Sequence, residues 1–129
     1  MRKIKLLTTM MSAVLRLSGY AAESSSLRYR QISMAEAVKM MGEGEGYIIL
    51  DVRREDEYAE GHIPGAINLP NEEIGSSEIT ELPDKSQTIL VYCRSGRRSK
   101  EAAEKLARLG YTAVYEFGGI IDWQGATEK

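Results

Sequence analysis

The sequence predicts an α/β domain built on a parallel sheet covered on both faces. Two short, continuously apolar runs, Tyr47-Ile-Ile-Leu50 and Thr88-Ile-Leu-Val-Tyr92, have the length and composition of strands buried on both sides. Segments of helical periodicity alternate with the strands, as parallel crossovers require. At 129 residues and 43% apolar content, the chain fits one domain whose core needs neither disulfide nor metal.

The N-terminal segment stands apart. Met1-Arg-Lys-Ile-Lys5 is a basic start, Leu6 to Leu15 is mostly apolar, and Gly19 and Ala21 are small residues before a cut at Ala22. This is the layout of a secretory signal peptide over residues 1–22, so the protein is expected to be exported, to the periplasm or another extracytoplasmic site. The apolar stretch is too short for a transmembrane span. Arg16 departs from the layout, and a disordered basic tail or an organelle transit peptide would share the acid-free composition. In those cases the protein is cytoplasmic or organellar. Leu17-Ser-Gly19 resembles the approach to a lipoprotein cysteine, but Tyr20 stands where that cysteine would be. Residues 23–27 read as a linker, with the folded domain expected over 28–126.

Charge excludes one class of function. Residues 1–22 carry four basic groups and no acid, whereas the remaining 107 residues hold 13 basic and 19 acidic groups. The folded part is acidic, so it is not a nucleic-acid binder by bulk electrostatics. One cysteine and one histidine can form neither a disulfide nor a zinc site.

Within the domain, Leu27 to Ile32 predicts a first strand. Ser33-Met-Ala-Glu36 is a capping box opening a helix, with the buried face drawn either from Ala35, Val38 and Met41 or from Ala37 with Met41, and Gly42 and Gly44 closing it. The charged stretch Arg53–Glu60 predicts a short helix or turn with a solvated face. Ala66 to Leu69 is a brief strand stopped by Pro70, and Asn71–Glu81 a short helix plus loop. Ser99 to Leu109 is amphipathic, with Ala103, Leu106, Ala107 and Leu109 or Tyr111 inward and Gly110 as its C-cap. Ala113 to Phe117 is the last strand, and Gly118-Gly119 turns the chain into Ile120–Trp123.

Between the strand ending at Tyr92 and the helix lies Cys93-Arg-Ser-Gly-Arg-Arg98. A thiol at a strand tip, in a basic loop opening into a helix N-terminus, sits where anions bind and thiolates are stabilised. A free thiol titrates near pH 8.5, and a helix N-terminus, cations and inward amides each lower that value. Gly96 permits close backbone approach, Ser95 adds a hydroxyl, and Arg94, Arg97 and Arg98, with Lys100 nearby, supply donors for an oxyanion. Which arginines face substrate is left open. An inert cysteine beside a solvated charge run is the alternative, and the position between buried strand and amphipathic helix argues against it.

Taken together, Asp51-Val-Arg53, the segment Tyr58-Ala-Glu-Gly-His-Ile-Pro-Gly-Ala66 continuing to Leu69, the Cys93–Arg98 loop followed by Ser99, and Gly118-Gly-Ile120 with Trp123 resemble a single-domain rhodanese, a thiosulfate-type sulfurtransferase, over roughly residues 28–125. The resemblance implies a central parallel five-stranded sheet flanked by helices on both faces. It implies double displacement: Cys93 takes sulfane sulfur from a small anionic donor such as thiosulfate, holds it as a persulfide, and passes it to cyanide or a thiol. Cys93 is then the catalytic residue, and Arg94, Ser95, Gly96, Arg97 and Arg98 bind substrate. No metal or organic cofactor is implied. Phosphatases of the same fold have five residues between cysteine and arginine. Here four separate Cys93 from Arg98, a loop too small to seat a phosphate tetrahedron. A sulfur carrier or partner-binding module, fed by a relay protein and turning over little free thiosulfate, is the alternative function. His62 is expected to hold a turn rather than act as a base, Asp51 and Arg53 to pair beneath the loop, and Asp122 and Trp123 to anchor the last helix, with Trp123 in the core.

Overall fold

The computed structural model describes residues 28–75 and 77–129, so the expected signal peptide and linker lie outside the described residues. Five strands form one sheet: β1 (Arg30–Gln31), β2 (Tyr47–Asp51), β3 (Ile67–Asn68), β4 (Thr88–Cys93) and β5 (Val114–Gly119). They run in the order β1-β5-β4-β2-β3, and every pairing is parallel. Three helices connect them: α1 (Met34–Glu43), α2 (Glu55–Glu60) and α3 (Arg97–Arg108). Two 3-10 turns, Asn71–Glu73 and Ile120–Asp122, complete the chain.

Alternation along the central strands divides the core into two layers. Leu50, Val52, Ile89, Val91, Cys93 and Val114 pack on the side of α3 with Ala102, Ala103 and Leu106. Ile49, Leu90, Tyr92 and Phe117 face the other way, against Ala37 of α1 and Tyr58 of α2. Because both faces are covered, β2 and β4 lack the polar alternation of a one-sided sheet.

The local signals work as their chemistry requires. The Ser33 hydroxyl accepts from the Glu36 amide at 3.0 Å, and a Glu36 carboxylate oxygen accepts from the Ser33 amide at 2.8 Å, closing the capping box of α1. The buried face of α1 centres on Ala37; Ala35 is exposed and Val38 is 47% exposed, so the first of the two proposed faces is not the one used. At the end of α3, the Tyr111 amide donates to Leu106 and the Gly110 amide to Ala107, with Gly110 at φ +102°. This Schellman closure puts Gly110 one position beyond the cap residue, Leu109. Helix α3 begins at Arg97 rather than Ser99, and it also buries Ser99 and Ala102.

Two further expectations are corrected. The stretch 53–60 is not simply a solvated face, because Arg53 is buried and Glu57 mostly so. The chain after Gly119 makes only a 3-10 turn, and Trp123 is half-buried at the margin of the α1 layer while Asp122 is exposed. Among the described residues, no helix is long and apolar enough to cross a membrane.

Candidate active site

Strand β4 carries Cys93 to the carboxyl end of the sheet, where the crossover to α3 leaves a loop of Arg94, Ser95 and Gly96. Ligands bind at such ends because the helix N-terminus and the turning backbone point N–H groups into one space. Gly96 is the N-cap of α3 at φ +114°, a conformation that a side chain would strain. Its amide donates to Cys93 Sγ at 3.0 Å.

The thiol is held below its ordinary value. Burial pushes it up, but hydrogen bonds from the Ser99 hydroxyl and the amides of Ser99, Gly96 and Ser95 more than offset that effect. Of these donors, the Gly96 amide makes the direct hydrogen bond to Sγ, the main-chain contact anticipated from the strand–loop–helix order. The Ser95 side chain, from which a hydroxyl donor was expected, is exposed, and the buried Ser99 hydroxyl lies 3.0 Å from the Gly96 carbonyl oxygen and 2.5 Å from Glu116 Oε2.

The arginines divide by partner. Arg98 makes a two-point pair with Glu57, at 2.8 and 3.1 Å, and both side chains are largely covered. The Arg98 guanidinium holds the Glu57 carboxyl down to about 2. Glu57 Oε1 also accepts from the Arg54 amide at 2.9 Å, so this carboxylate fastens the first turn of α2 to α3. Arg97 reaches Glu101 on the helix surface at 3.3 Å. Arg94 is exposed, and its side chain makes no ion pair among the described residues. A shallow pocket of about 230 Å³ shares Arg94 with the loop and is walled by Arg53, Glu57, Glu60, Ile120 and Thr127.

Supporting groups lie beneath. Arg53 pairs with Asp51 through Nε at 2.9 Å and Nη2 at 2.7 Å, and Nη2 also donates to the Gly61 carbonyl. The Tyr92 hydroxyl donates to Asp51 at 2.6 Å and accepts from the Ile63 amide, with its proton held more tightly than in free tyrosine because of burial and the carboxylate. The Asp51–Arg53 pair is thus the scaffold expected of it. His62 is not a base for Cys93: Nδ1 donates to the Tyr58 carbonyl at 2.9 Å, the ring stacks on Tyr58 at 3.7 Å, and Nε2 faces Glu128.

Two features were not anticipated. Strands β4 and β5 slip register between Val91 paired with Glu116 and Cys93 paired with Gly119, so β5 carries one extra residue beside the cysteine. Such bulges re-aim backbone next to functional sites. This one drives Gly119 against the loop, where a Cβ would lie 2.0 Å from the Arg94 carbonyl oxygen. The second is Glu116, whose carboxylate is buried behind the loop and accepts from Ser99 Oγ at 2.5 Å. An acidic residue between Val114 and Phe117 in a buried strand was the available signal.

The rhodanese-like domain family matches residues 33–126 of the chain. Thiosulfate sulfurtransferase PspE of Escherichia coli is 44% identical over 73 residues, 57% of this chain and 70% of that protein. Thiosulfate sulfurtransferase GlpE of Coxiella burnetii is 35% identical over 99 residues, covering 76% of this chain and 90% of that one. A solved structure described as a rhodanese with anions from E. coli superposes with a TM-score of 0.59 at 40% identity, over 64% of this chain and 98% of that chain.

Proposed function

The chain belongs to the rhodanese-like domain family and is a rhodanese-type sulfurtransferase, and from that premise we propose that Cys93 itself carries the transferred sulfur. The Cys93 thiolate attacks the outer sulfur of thiosulfate. The donor's S–S bond breaks and sulfite leaves with the bonding electrons, so Cys93 holds a persulfide. A thiolate or cyanide then attacks the outer sulfur, and Cys93 Sγ departs as the thiolate that began the cycle.

One observation carries this reading: Sγ accepts the Gly96 amide N–H at 3.0 Å, at the N-terminus of α3, in surroundings that hold the thiol below its ordinary value. The same donors that stabilise the nucleophile stabilise the leaving group, so a single arrangement serves both half-reactions. Cys93 is 1% exposed, which favours a donor small enough to enter the loop. Arg94, exposed at its rim, supports an anionic one.

Incubation with thiosulfate should add one sulfur atom to the intact mass, and cyanide should remove it as thiocyanate. Cys93→Ser should abolish both while leaving the fold unchanged. Failure of the wild-type protein to take up sulfur from thiosulfate, with uptake only from a partner protein's persulfide, assigns it to carriage rather than turnover.

A further inference from the structure

Glu116 is a buried carboxylate that the double displacement does not use. It lies in β5 and is 2% exposed. Removing a carboxylate from water is costly, and an apolar side chain at a buried strand position packs without that cost. What the carboxylate supplies in return is three attachments. Oε2 accepts from the Gly118 amide at 3.0 Å and from the Ser99 hydroxyl at 2.5 Å. Oε1 faces the half-exposed Lys100 ammonium at 3.9 Å.

These attachments join two segments behind the loop. Gly118 lies in the bulge, where the extra residue of β5 falls outside the ladder and its backbone needs another partner. Ser99 is fully buried in the first turn of α3, and its hydroxyl also lies 3.0 Å from the Gly96 carbonyl oxygen. The Lys100 ammonium reaches that same carbonyl at 3.4 Å. Gly96 is the residue whose amide donates to Cys93 Sγ. We propose that Glu116 is a positioning residue for the Cys93 loop: its carboxylate clamps the β5 bulge to the first turn of α3 and so keeps the Gly96 amide on Sγ. It acts through Gly118, Ser99 and Lys100 rather than on the reacting sulfur.

A clamp and a simple charge effect act in opposite directions. A negative carboxylate near a thiolate raises the thiol pKa, so removing the charge alone lowers it. Removing the clamp frees the Gly96 amide, whose hydrogen bond favours the thiolate, and the pKa rises. Arg98 is paired with Glu57 and Arg97 with Glu101, so neither takes the place of Lys100 beside Glu116. The inference rests on Cys93 as the sulfur carrier, and its two readouts separate that premise from the role of Glu116.

Alkylation of Cys93 by iodoacetamide across pH reads the thiol pKa without sulfur transfer, and intact mass after mixing with thiosulfate reads the rate of loading. Glu116→Leu removes all three attachments. Its alkylation midpoint should rise by about one pH unit, and loading at neutral pH should slow about tenfold. Glu116→Asp keeps the charge but withdraws the carboxylate by one methylene, so its midpoint should also rise, with loading slowed about fivefold. Glu116→Gln keeps the shape and an acceptor oxygen, so it should load within about twofold of wild type with no rise in midpoint. A residue serving only the stability of the fold would lower the melting temperature of Glu116→Leu and leave its midpoint in place. An unchanged or lowered midpoint in either Glu116→Leu or Glu116→Asp, or a Glu116→Gln as impaired as Glu116→Leu, overturns the proposal. If Glu116→Leu fails to fold, the midpoints of Glu116→Asp and Glu116→Gln decide it. A wild-type protein that never loads from thiosulfate overturns the carrier premise instead, while alkylation still reports on the clamp.

Discussion

Gly119→Ala isolates the steric basis of the site. Gly119 has φ −138° and ψ 155°, ordinary extended backbone, so alanine adds no conformational strain. Its Cβ would lie 2.0 Å from the Arg94 carbonyl oxygen, 2.4 Å from its carbon and 2.6 Å from Ser95 Cα. Ordinary contact begins at 3.4 Å, so the loop or the strand must retreat by the difference, about 1.4 Å. The obstacle is backbone on both sides, and no side chain can swing away. Overpacking of this kind costs about 1–3 kcal/mol of stability. The functional cost is larger, because the moved segment carries the amides that hold Sγ. A misplacement of about 1 Å at a reacting centre costs about 10²-fold in rate. Thiocyanate formation from thiosulfate and cyanide should therefore fall about 100-fold in Gly119→Ala, with the thiol pKa rising toward its free value. Gly118→Ala is the control: φ is +102° but a Cβ there meets nothing within 4 Å. It should cost about 1 kcal/mol of backbone strain and far less activity. Equal activity in the two variants, or a full rate in Gly119→Ala, refutes the argument that close approach of β5 shapes the loop.

The loop arginines should separate by partner. Arg94→Ala should raise KM for thiosulfate about 5–10-fold with no change in melting temperature, because the side chain is exposed and anchors nothing among the described residues. Steady-state kinetics at low and high salt check this; a large drop in stability contradicts it. Glu57 carries a pH signature. Its folded pKa, about 2, lies below the unfolded value near 4.5, so its stabilisation is complete above about 4.5 and is lost as pH falls toward 2. Acid unfolding curves of Glu57→Gln should lack that component of the slope between pH 4.5 and 2 while the wild type retains it.

How much could be read in advance differs element by element. Buried runs, the Ser33 capping box and Gly110 declare themselves because each satisfies a requirement of its own few residues: an apolar strand, an orphan amide, a left-handed turn. The Cys93 loop is legible for the same reason, since strand, loop and helix N-terminus are consecutive. Arg53 and Glu57 mislead, because a charged stretch looks solvated until the partners Asp51 and Arg98 are known. The face of α1 is ambiguous because Ala37 and Val38 are both apolar, and only the sheet beneath selects between them. Ser99 and Glu116 escape for a stronger reason. Their meaning lies in a contact across 17 residues of sequence, at 2.5 Å.

The sequence by itself determined an alternating parallel domain and a single nucleophilic sulfur at the carboxyl edge of its sheet, because periodicity, capping and strand–loop–helix order are local properties. Tertiary structure alone decided which donor reaches Sγ, which loop arginines are paired with carboxylates, and how near β5 comes to the loop. Those outcomes depend on distances between segments far apart in the chain. The bulge between β4 and β5 accounts for the last of them, and pairing between strands, not composition, creates it.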